Sequence, residues 1–447
     1  MNSLELTGVF DIPTLQSRAV FTTQNTELVF REEEDITPVR IDDRLSYMPW
    51  GADNKMPYNV MDLIERDETM TTCLQFVSEL CYGSGLHYNT DACTPETKSK
   101  VDDFLLDNFI PSYFMGVSQD LKHYAFAVSV IILNAEGTEI VSLCRKNACY
   151  CRFSPAEDGV IKQVLYANWR RSVVDKKDIE VIELLNPSSP WRDLAVRMGR
   201  RPGSDGKVAM RTKTRKFAIL TSIPTPDSTY YPIPFYASLF RSKWYDIKRL
   251  IATAKKSKLQ NAAPIKYHIE VSAKYFDGIF KREGITDRKK QQEKVVAVKK
   301  EILDFLTGVE NSGKVWFSTY YVTPDGKEQH DIQIHKIDTN KEGGDWESDI
   351  QEAVNMMCFA LRVHSNLVGS VPGKSQSNNS GSDKRELYTI AQALQKPYHD
   401  MLFAPHRMII KFNGWEGAQP ECPFIQLTTL DENRDAKLVK PVDADTK

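Results

Sequence analysis

The stretch IPFYASLFRSKWYDIKRLIATAKKSKLQNAAPIK, Ile233 to Lys266, decides the reading of this chain. Its apolar residues Phe240, Trp244, Ile247, Ile251 and Ala254 recur at steps of four, three, four and three, one face of an α-helix. Arg241, Lys248 and Lys255 recur every seven residues as a second stripe, and seven bases stand against one acid between Arg241 and Lys258. Asn261 and Pro264 end the pattern. A continuous helix from Pro234 to Gln260 would be roughly 40 Å long. One face of such a rod packs while another presents cations, which suits a wall beside a polyanion or an acidic helix. Lysines also commonly do no more than solubilise the outer face of a helix.

Working outward, the 447 residues are enough for two or three domains with real cores. Hydrophobic content of 41% and charged content of 26% are ordinary for a soluble globular chain. The net charge of −2 excludes a generic nucleic-acid binder, so any role with DNA must come from local charge. That charge is uneven. Arg197 to Lys216 holds eight bases and one acid, whereas Glu342 to Glu352 holds five acids and no base. The start, MNSLELTGVFDIP, has no basic or apolar leader pattern, and no apolar run is long enough to predict a membrane span. Eight scattered cysteines without a secretory context read as reduced thiols.

The first 45 residues are polar, with an acidic run Arg31-Glu-Glu-Glu-Asp35, and predict an irregular arm with one or two short strands. After the turn-rich Pro49-Trp-Gly-Ala-Asp-Asn-Lys-Met-Pro57, the spacing of Val60, Leu63, Ile64, Met70, Leu74, Val77 and Leu80 predicts one helix, ended at Gly83-Ser-Gly85. Glu96 to Asn108 predicts a shorter helix. Strands are expected at Val128–Asn134, Ile140–Cys144, Tyr150–Phe153, Ile161–Ala167, Asp178–Leu185 and Phe217–Ile223, separated by turn residues. Gly199 to Lys216 reads as a basic loop. Beyond Pro264 the pattern gives a strand at Ile265–Val271, a helix at Arg288–Leu306, and a hairpin of Val315–Val322 with Asp331–Ile337 around Pro324-Asp-Gly326. Asp345 to Val363 predicts a helix with Trp346, Ile350, Val354, Met357 and Leu361 inward and acids in its first turn. His364 to Ser382, HSNLVGSVPGKSQSNNSGS, is the most loop-like segment, and loops of that length are functional or disordered. A helix from Asp383 with a kink at Pro397 and a last strand at Phe424–Thr428 complete the chain.

No catalytic or metal constellation stands out. Gly373-Lys374-Ser375 is similar to the end of a phosphate loop, but the glycine required five positions earlier is Val368, and a helix rather than a strand precedes it. Cys144, Cys149 and Cys151 fall on adjacent strands without paired CxxC spacing, which favours buried thiols over a zinc site. There is no HExxH and no GxSxG, and the acid clusters lie on polar surfaces. The expectation is a chain that is not an enzyme and needs no cofactor.

The order of these motifs resembles the portal proteins of tailed bacteriophages and prophages, from about Trp50 to Leu430. Pro49 to Pro57 is similar to that family's WG-x-x-N-x-x-P motif. Tyr231-Pro-Ile-Pro234 before the long helix, then Asn261-Ala-Ala-Pro264 and a strand, is the most specific match. Thr307-Gly-Val-Glu-Asn-Ser-Gly-Lys-Val315 and Ala360-Leu-Arg-Val-His-Ser-Asn-Leu-Val-Gly369 follow in the expected order. The resemblance implies an α+β fold with a wing, a two-helix stem, an α/β clip, a tunnel loop and a kinked tunnel helix, and with little or no crown. It places an N-terminal arm at 1–45, the wing at 46–233, the first stem helix at 234–261 and the clip at 262–340. The second stem helix falls at 341–363, the tunnel loop at 364–382, the tunnel helix at 383–412, and a wing strand with a polar tail at 413–447.

It also implies a ring, typically of twelve copies, at one capsid vertex of a virion assembled in the host cytoplasm. Such a ring passes double-stranded DNA during packaging and ejection, and meets the terminase large subunit, the major capsid protein and a head–tail adaptor, with no membrane. The residues implied to face DNA are Ser370, Lys374, Ser375, Gln376, Asn378, Asn379 and Lys384. Arg241, Lys248 and Lys255 on one stem helix are expected to meet Asp345, Asp349 and Glu352 on the other. Other readings of the residues are a different head–tail or baseplate adaptor, or a DNA-processing enzyme, which would need clustered carboxylates that the sequence does not show.

Overall fold

The computed structural model describes residues 4–12, 17–24, 37–171, 174–200, 210–226, 230–261, 267–271, 273–307, 320–322, 328–330, 332–336, 346–368 and 381–427. The chain divides into two units, Met1–Leu250 with Glu347–Lys447, and Ile251–Trp346.

Strands β1 (Leu4–Ile12) and β2 (Ser17–Gln24) pair antiparallel, as do the short β3 (Val39–Arg40) and β4 (Ser46–Tyr47). The single helix expected up to Leu80 is two, α1 (Met56–Glu65) and α2 (Glu68–Tyr82). Asp67 breaks it. Its backbone is extended, and its Oδ1 accepts the Met70 N–H at 2.9 Å, so it caps a new helix instead of continuing the old one. After β5 (His87–Asn89) come α3 (Pro95–Asp107) and α4 (Ile110–Tyr124). Helix α4 was not anticipated. Left-handed Phe109 and Ala125, at φ 43° and 61°, bracket it and turn the chain straight into β6 (Phe126–Leu133).

With β7 (Ile140–Lys146), β8 (Cys151–Phe153), β9 (Gln163–Tyr166), β10 (Glu180–Leu184), helix α5 (Pro190–Arg197) and β11 (Lys216–Ser222), the chain builds a six-stranded sheet of order β7-β6-β11-β10-β9-β8. All pairs are antiparallel except β10 with β11, which α5 bridges. Phe126, Val128 and Val130 enter one apolar cluster with α1, α2, Trp50 and Tyr231. Ala127, Ile131 and Leu133 enter another with α3 and α4. Burial on both faces explains why this strand reads as an apolar run, interrupted by Ser129 alone, rather than an alternation. The outer edge of β7 is closed by side-chain amides: Asn413 exchanges two hydrogen bonds with Ile140, and Asn108 bonds Val141 O and Leu143 N.

The long rod expected from Pro234 to Gln260 is interrupted. A short α6 (Ser238–Arg241) ends, Lys243 adopts φ 67°, and α7 (Trp244–Asn261) begins a new phase. A left-handed residue cannot continue a right-handed helix. The inward face is therefore Tyr245 and Lys248, while Ile247 and Leu250 of the expected apolar stripe and its flank are 36% and 57% exposed.

In the second unit follow β12 (Tyr267–Val271), α8 (Ala273–Glu283), α9 (Arg288–Thr307), β13 (Tyr320–Val322), β14 (Glu328–His330) and β15 (Ile332–Lys336). The expected hairpin is re-partnered. β13 pairs with β14, while β15 pairs antiparallel with β12 in the register Ile269↔Ile334. Helix α8 was not anticipated.

The acidic helix is α10 (Trp346–Ala360) and buries Ala353, Val354, Met357 and Cys358. The expected tunnel loop holds a short helix, α11 (Ser365–Val368), and its residues 369–380 lie outside the described residues. The expected kinked helix is two, α12 (Gly381–Ala393) and α13 (Lys396–Asn413). Pro397 lies in the first turn of α13, where its missing N–H costs nothing. The last strand is β16 (Gln419–Glu421), paired with β5, rather than Phe424–Thr428. Among the described residues no helix is long and apolar enough to cross a membrane.

Candidate functional site

The two sequence motifs singled out above meet in the first unit. Trp50 stacks on Tyr231, ring centroids 4.7 Å apart and nearly parallel, and the Tyr231 hydroxyl donates to Met48 O at 2.7 Å. Asn54, left-handed at φ 60°, turns its Oδ1 back to accept the Trp50 N–H at 3.0 Å. The same Oδ1 accepts Arg152 Nε, and Asn54 O accepts Arg152 Nη2 at 2.9 Å. Arg152 is fully buried on β8. Its Nη1 donates to Cys149 O and Cys151 O, and its guanidinium lies 5.5 and 5.6 Å from the Trp50 and Trp169 rings. Burial lowers its pKa, and carbonyl acceptors with two indole faces replace a carboxylate. The motif is thus a structural hub. Sequence reading missed Arg152, although a lone arginine inside a buried-strand pattern is a usable signal.

The second junction lies at the start of α7. Lys248 was expected on a cationic stripe facing the acids of the other stem helix. It is instead buried, and Nζ donates to Asp67 Oδ1 and Oδ2 at 3.0 and 2.9 Å, to Thr69 Oγ1 at 2.7 Å, and pairs with Glu68 at 2.8 Å. Asp67 is 2% exposed. Burial pushes the Glu68 carboxyl up, but the hydrogen bond and charge of Lys248 together with a backbone hydrogen bond outweigh it, and the net shift is down. One turn earlier, the Tyr245 hydroxyl donates to Leu63 O at 2.7 Å. On the other flank of α2, Cys73 Sγ is 4.0 Å from Cys358 Sγ of α10. That hydrogen bond, with burial, raises the Cys73 thiol. Helix α2 is therefore the common seat of the start of α7 and the C-terminal end of α10.

A third polar anchor joins α4 to α13. Lys122 Nζ is buried, donates to Gln395 Oε1 at 2.8 Å and lies 3.0 Å from the Tyr398 ring centre. Burial pulls its pKa down to about 8. Nearby, His406 is fully buried and bonds Tyr88 through Nδ1 at 2.7 Å, and burial drives its pKa down to about 3.

Of the residues expected to act, Ser370, Lys374, Ser375, Gln376, Asn378, Asn379 and Asp345 lie outside the described residues. Lys384 is exposed in the first turn of α12. Arg241 and Lys255 are exposed, as are Asp349 and Glu352, and none of these four forms an ion pair with another described residue. The expected pairing of Lys248 with the acidic helix is replaced by its bond to Asp67. Cys149 and Cys151 are buried and Cys144 is half-buried. Among the described residues, no group of three or more metal-ligating side chains converges.

No family model and no curated protein matches the chain. Solved structures do. A chain from the neck of the native gene transfer agent particle, computed with C12 symmetry, superposes with a TM-score of 0.53 at 13% identity, covering 85% of this chain and 88% of that one. A chain from the neck of the empty particle, computed with C6 symmetry, gives 0.55 at 13% identity, with 89% of each covered. This chain shares the fold of a chain from that particle's neck. A chain of the native virion gives 0.54 at 12% identity over 89% of each. The likeness spans both units and is one of fold, carried by an α+β architecture that shares little sequence. All three matched chains are particle components.

Proposed function

We propose that this chain is a portal-type subunit of a phage-like head–tail neck: a ring-forming, non-catalytic component at one capsid vertex through which double-stranded DNA passes during packaging and ejection. The observation that carries the reading is a shared fold over most of the chain with neck chains from assemblies computed with C12 and C6 symmetry. The motif order along the sequence supports it independently. In this reading α7 and α10 are stem helices, residues 262–340 form the clip, and residues 364–382 approach the DNA. The terminase large subunit, the major capsid protein and a head–tail adaptor are its partners. A ring of identical subunits closes through heterologous contacts. The exposed bases Arg241 and Lys255 and the exposed acids Asp349 and Glu352 are then free to meet across copies rather than within one.

The physical demand on a conduit is weak, sequence-independent contact, because tight phosphate binding would stall the polymer. A near-neutral net charge and a loop of serine, asparagine and glycine meet that demand. Electron microscopy and mass photometry of the purified chain test the reading. Annular particles of about twelve copies support it. A single-chain particle at every salt concentration, or turnover of a nucleic-acid substrate, would reject it. Deletion of Gly373 to Gly381 should spare the ring and impair DNA packaging or retention, and normal packaging would remove the loop from the mechanism.

A further inference from the structure

A cavity of about 160 Å³ opens among α2, α4, α11, α12 and the start of α13. Its wall is apolar, built from Phe76, Leu80, Leu361, Leu387, Ile390 and Leu394. Ile390 and Leu394 are 58% and 63% exposed, so the opening itself is greasy. Lys122, Arg362 and His364 also line it, and no carboxylate does. Lys122 is 3% exposed, yet Gln395 Oε1 is the one acceptor that any of its three N–H groups meets among the described residues. Arg362 holds a left-handed backbone at φ 57° and makes no ion pair with another described residue. Gln395 Oε1 and the Tyr398 ring face, whose centre is 3.0 Å away, solvate the Lys122 ammonium in part, but no carboxylate lines the cavity and a buried charge without a counter-charge is costly. An apolar cavity of roughly 150 Å³ accepts a benzene-sized group. The site therefore asks for one ring-sized or leucine-sized side chain carried next to a carboxylate.

The sequence contains such a segment. Leu28-Val-Phe-Arg-Glu-Glu-Glu-Asp35 puts three consecutive large apolar residues one position before four consecutive acids, and no other stretch of the chain has four acids in a row. Residues 25–36 lie outside the described residues. We propose that this cavity is the docking site for the chain's own Leu28–Asp35 segment, with one of its apolar side chains filling the space and its carboxylates facing Lys122 and Arg362. The docking would tie the N-terminal arm to the α4–α13 anchor. It does not depend on the ring reading.

Zero-length carbodiimide coupling of the full chain, read by peptide mass spectrometry, tests this. The expected product joins Lys122 to an acid among Glu32, Glu33, Glu34 and Asp35. It should vanish in Lys122→Gln and fall at least about fivefold, near 1 kcal/mol, in Val29→Ser/Phe30→Ser. Absence of the product, an unchanged yield in the serine variant, or coupling of Lys122 to the Leu438–Asp445 tail instead would overturn the proposal. Should Lys122→Gln fail to fold, a second measurement decides. A labelled Thr26–Thr37 peptide is titrated by anisotropy onto the full-length Val29→Ser/Phe30→Ser chain, whose own segment is disabled. A Phe30→Ser peptide should bind about tenfold more weakly than the native one, and equal binding would overturn the proposal.

Discussion

Replacing Lys248 by methionine removes a charge while keeping the length of the stem. In the folded chain, Asp67 Oδ2 then loses its partner, and Oδ1 keeps only the Met70 N–H. Glu68 is 82% exposed at its side chain and relaxes into water, so it contributes little. The cost is that of an uncompensated buried carboxylate, about 3–5 kcal/mol. Apolar contact by the methionine stem offsets about 1 kcal/mol of it. The net expectation is a loss of about 3 kcal/mol, or a Tm lower by about 6 °C at about 2 °C per kcal/mol for a unit of this size. Asp67→Asn keeps the cap and should cost about 1–2 kcal/mol. The double variant should lose about 2–3 kcal/mol rather than the roughly 4–5 kcal/mol of the summed single variants, a coupling energy of about 2 kcal/mol. Urea and thermal unfolding followed by circular dichroism measure all four corners of the cycle. If Lys248→Met lies within about 0.5 kcal/mol of the native chain, or the coupling is zero, Lys248 behaves as the solvated stripe residue that its spacing suggested, and the argument fails.

Asn54→Ala removes the shared acceptor of the Trp50 amide and of Arg152 and strains a left-handed backbone. It should cost about 2–4 kcal/mol and flatten the near-ultraviolet dichroism of the Trp50–Tyr231 stack. His406, held neutral with its pKa at about 3 against an ordinary 6.5, refuses a proton that the unfolded chain accepts. Stability should therefore fall as pH drops below 6.5, by about 2 kcal/mol at pH 5, and His406→Phe should flatten this slope in pH-dependent urea midpoints. Phe359 on α10 is 79% exposed, so Phe359→Asp should leave the Tm within about 2 °C while lowering the ring fraction in mass photometry. An unchanged ring fraction would remove that face from the assembly interface.

The six strands of the sheet were legible because β-branched and aromatic runs separated by turn residues admit few alternatives. Ile140, Cys151 and Phe217 all fall in strands where expected. The apolar run into Leu133, interrupted by Ser129 alone, fits a strand covered on both sides. The hub around Trp50, Asn54 and Tyr231 was visible as motifs, but its purpose was not. Arg152 joins them from about a hundred residues away, and local spacing carries no record of such a contact.

Local sequence fixed where helices and strands can form, since periodicity and turn chemistry act over a few residues. Only the tertiary structure decided where they break and what they bury. Phe240, Trp244 and Ile247 share a face only if the helix is continuous; the left-handed turn at Lys243 breaks it, so Phe240 stays in the core while Ile247 is 36% exposed. Lys248 is indistinguishable from Arg241 and Lys255 by position. It is buried because Asp67, 181 residues earlier in the chain, caps α2 where the lysine can reach it.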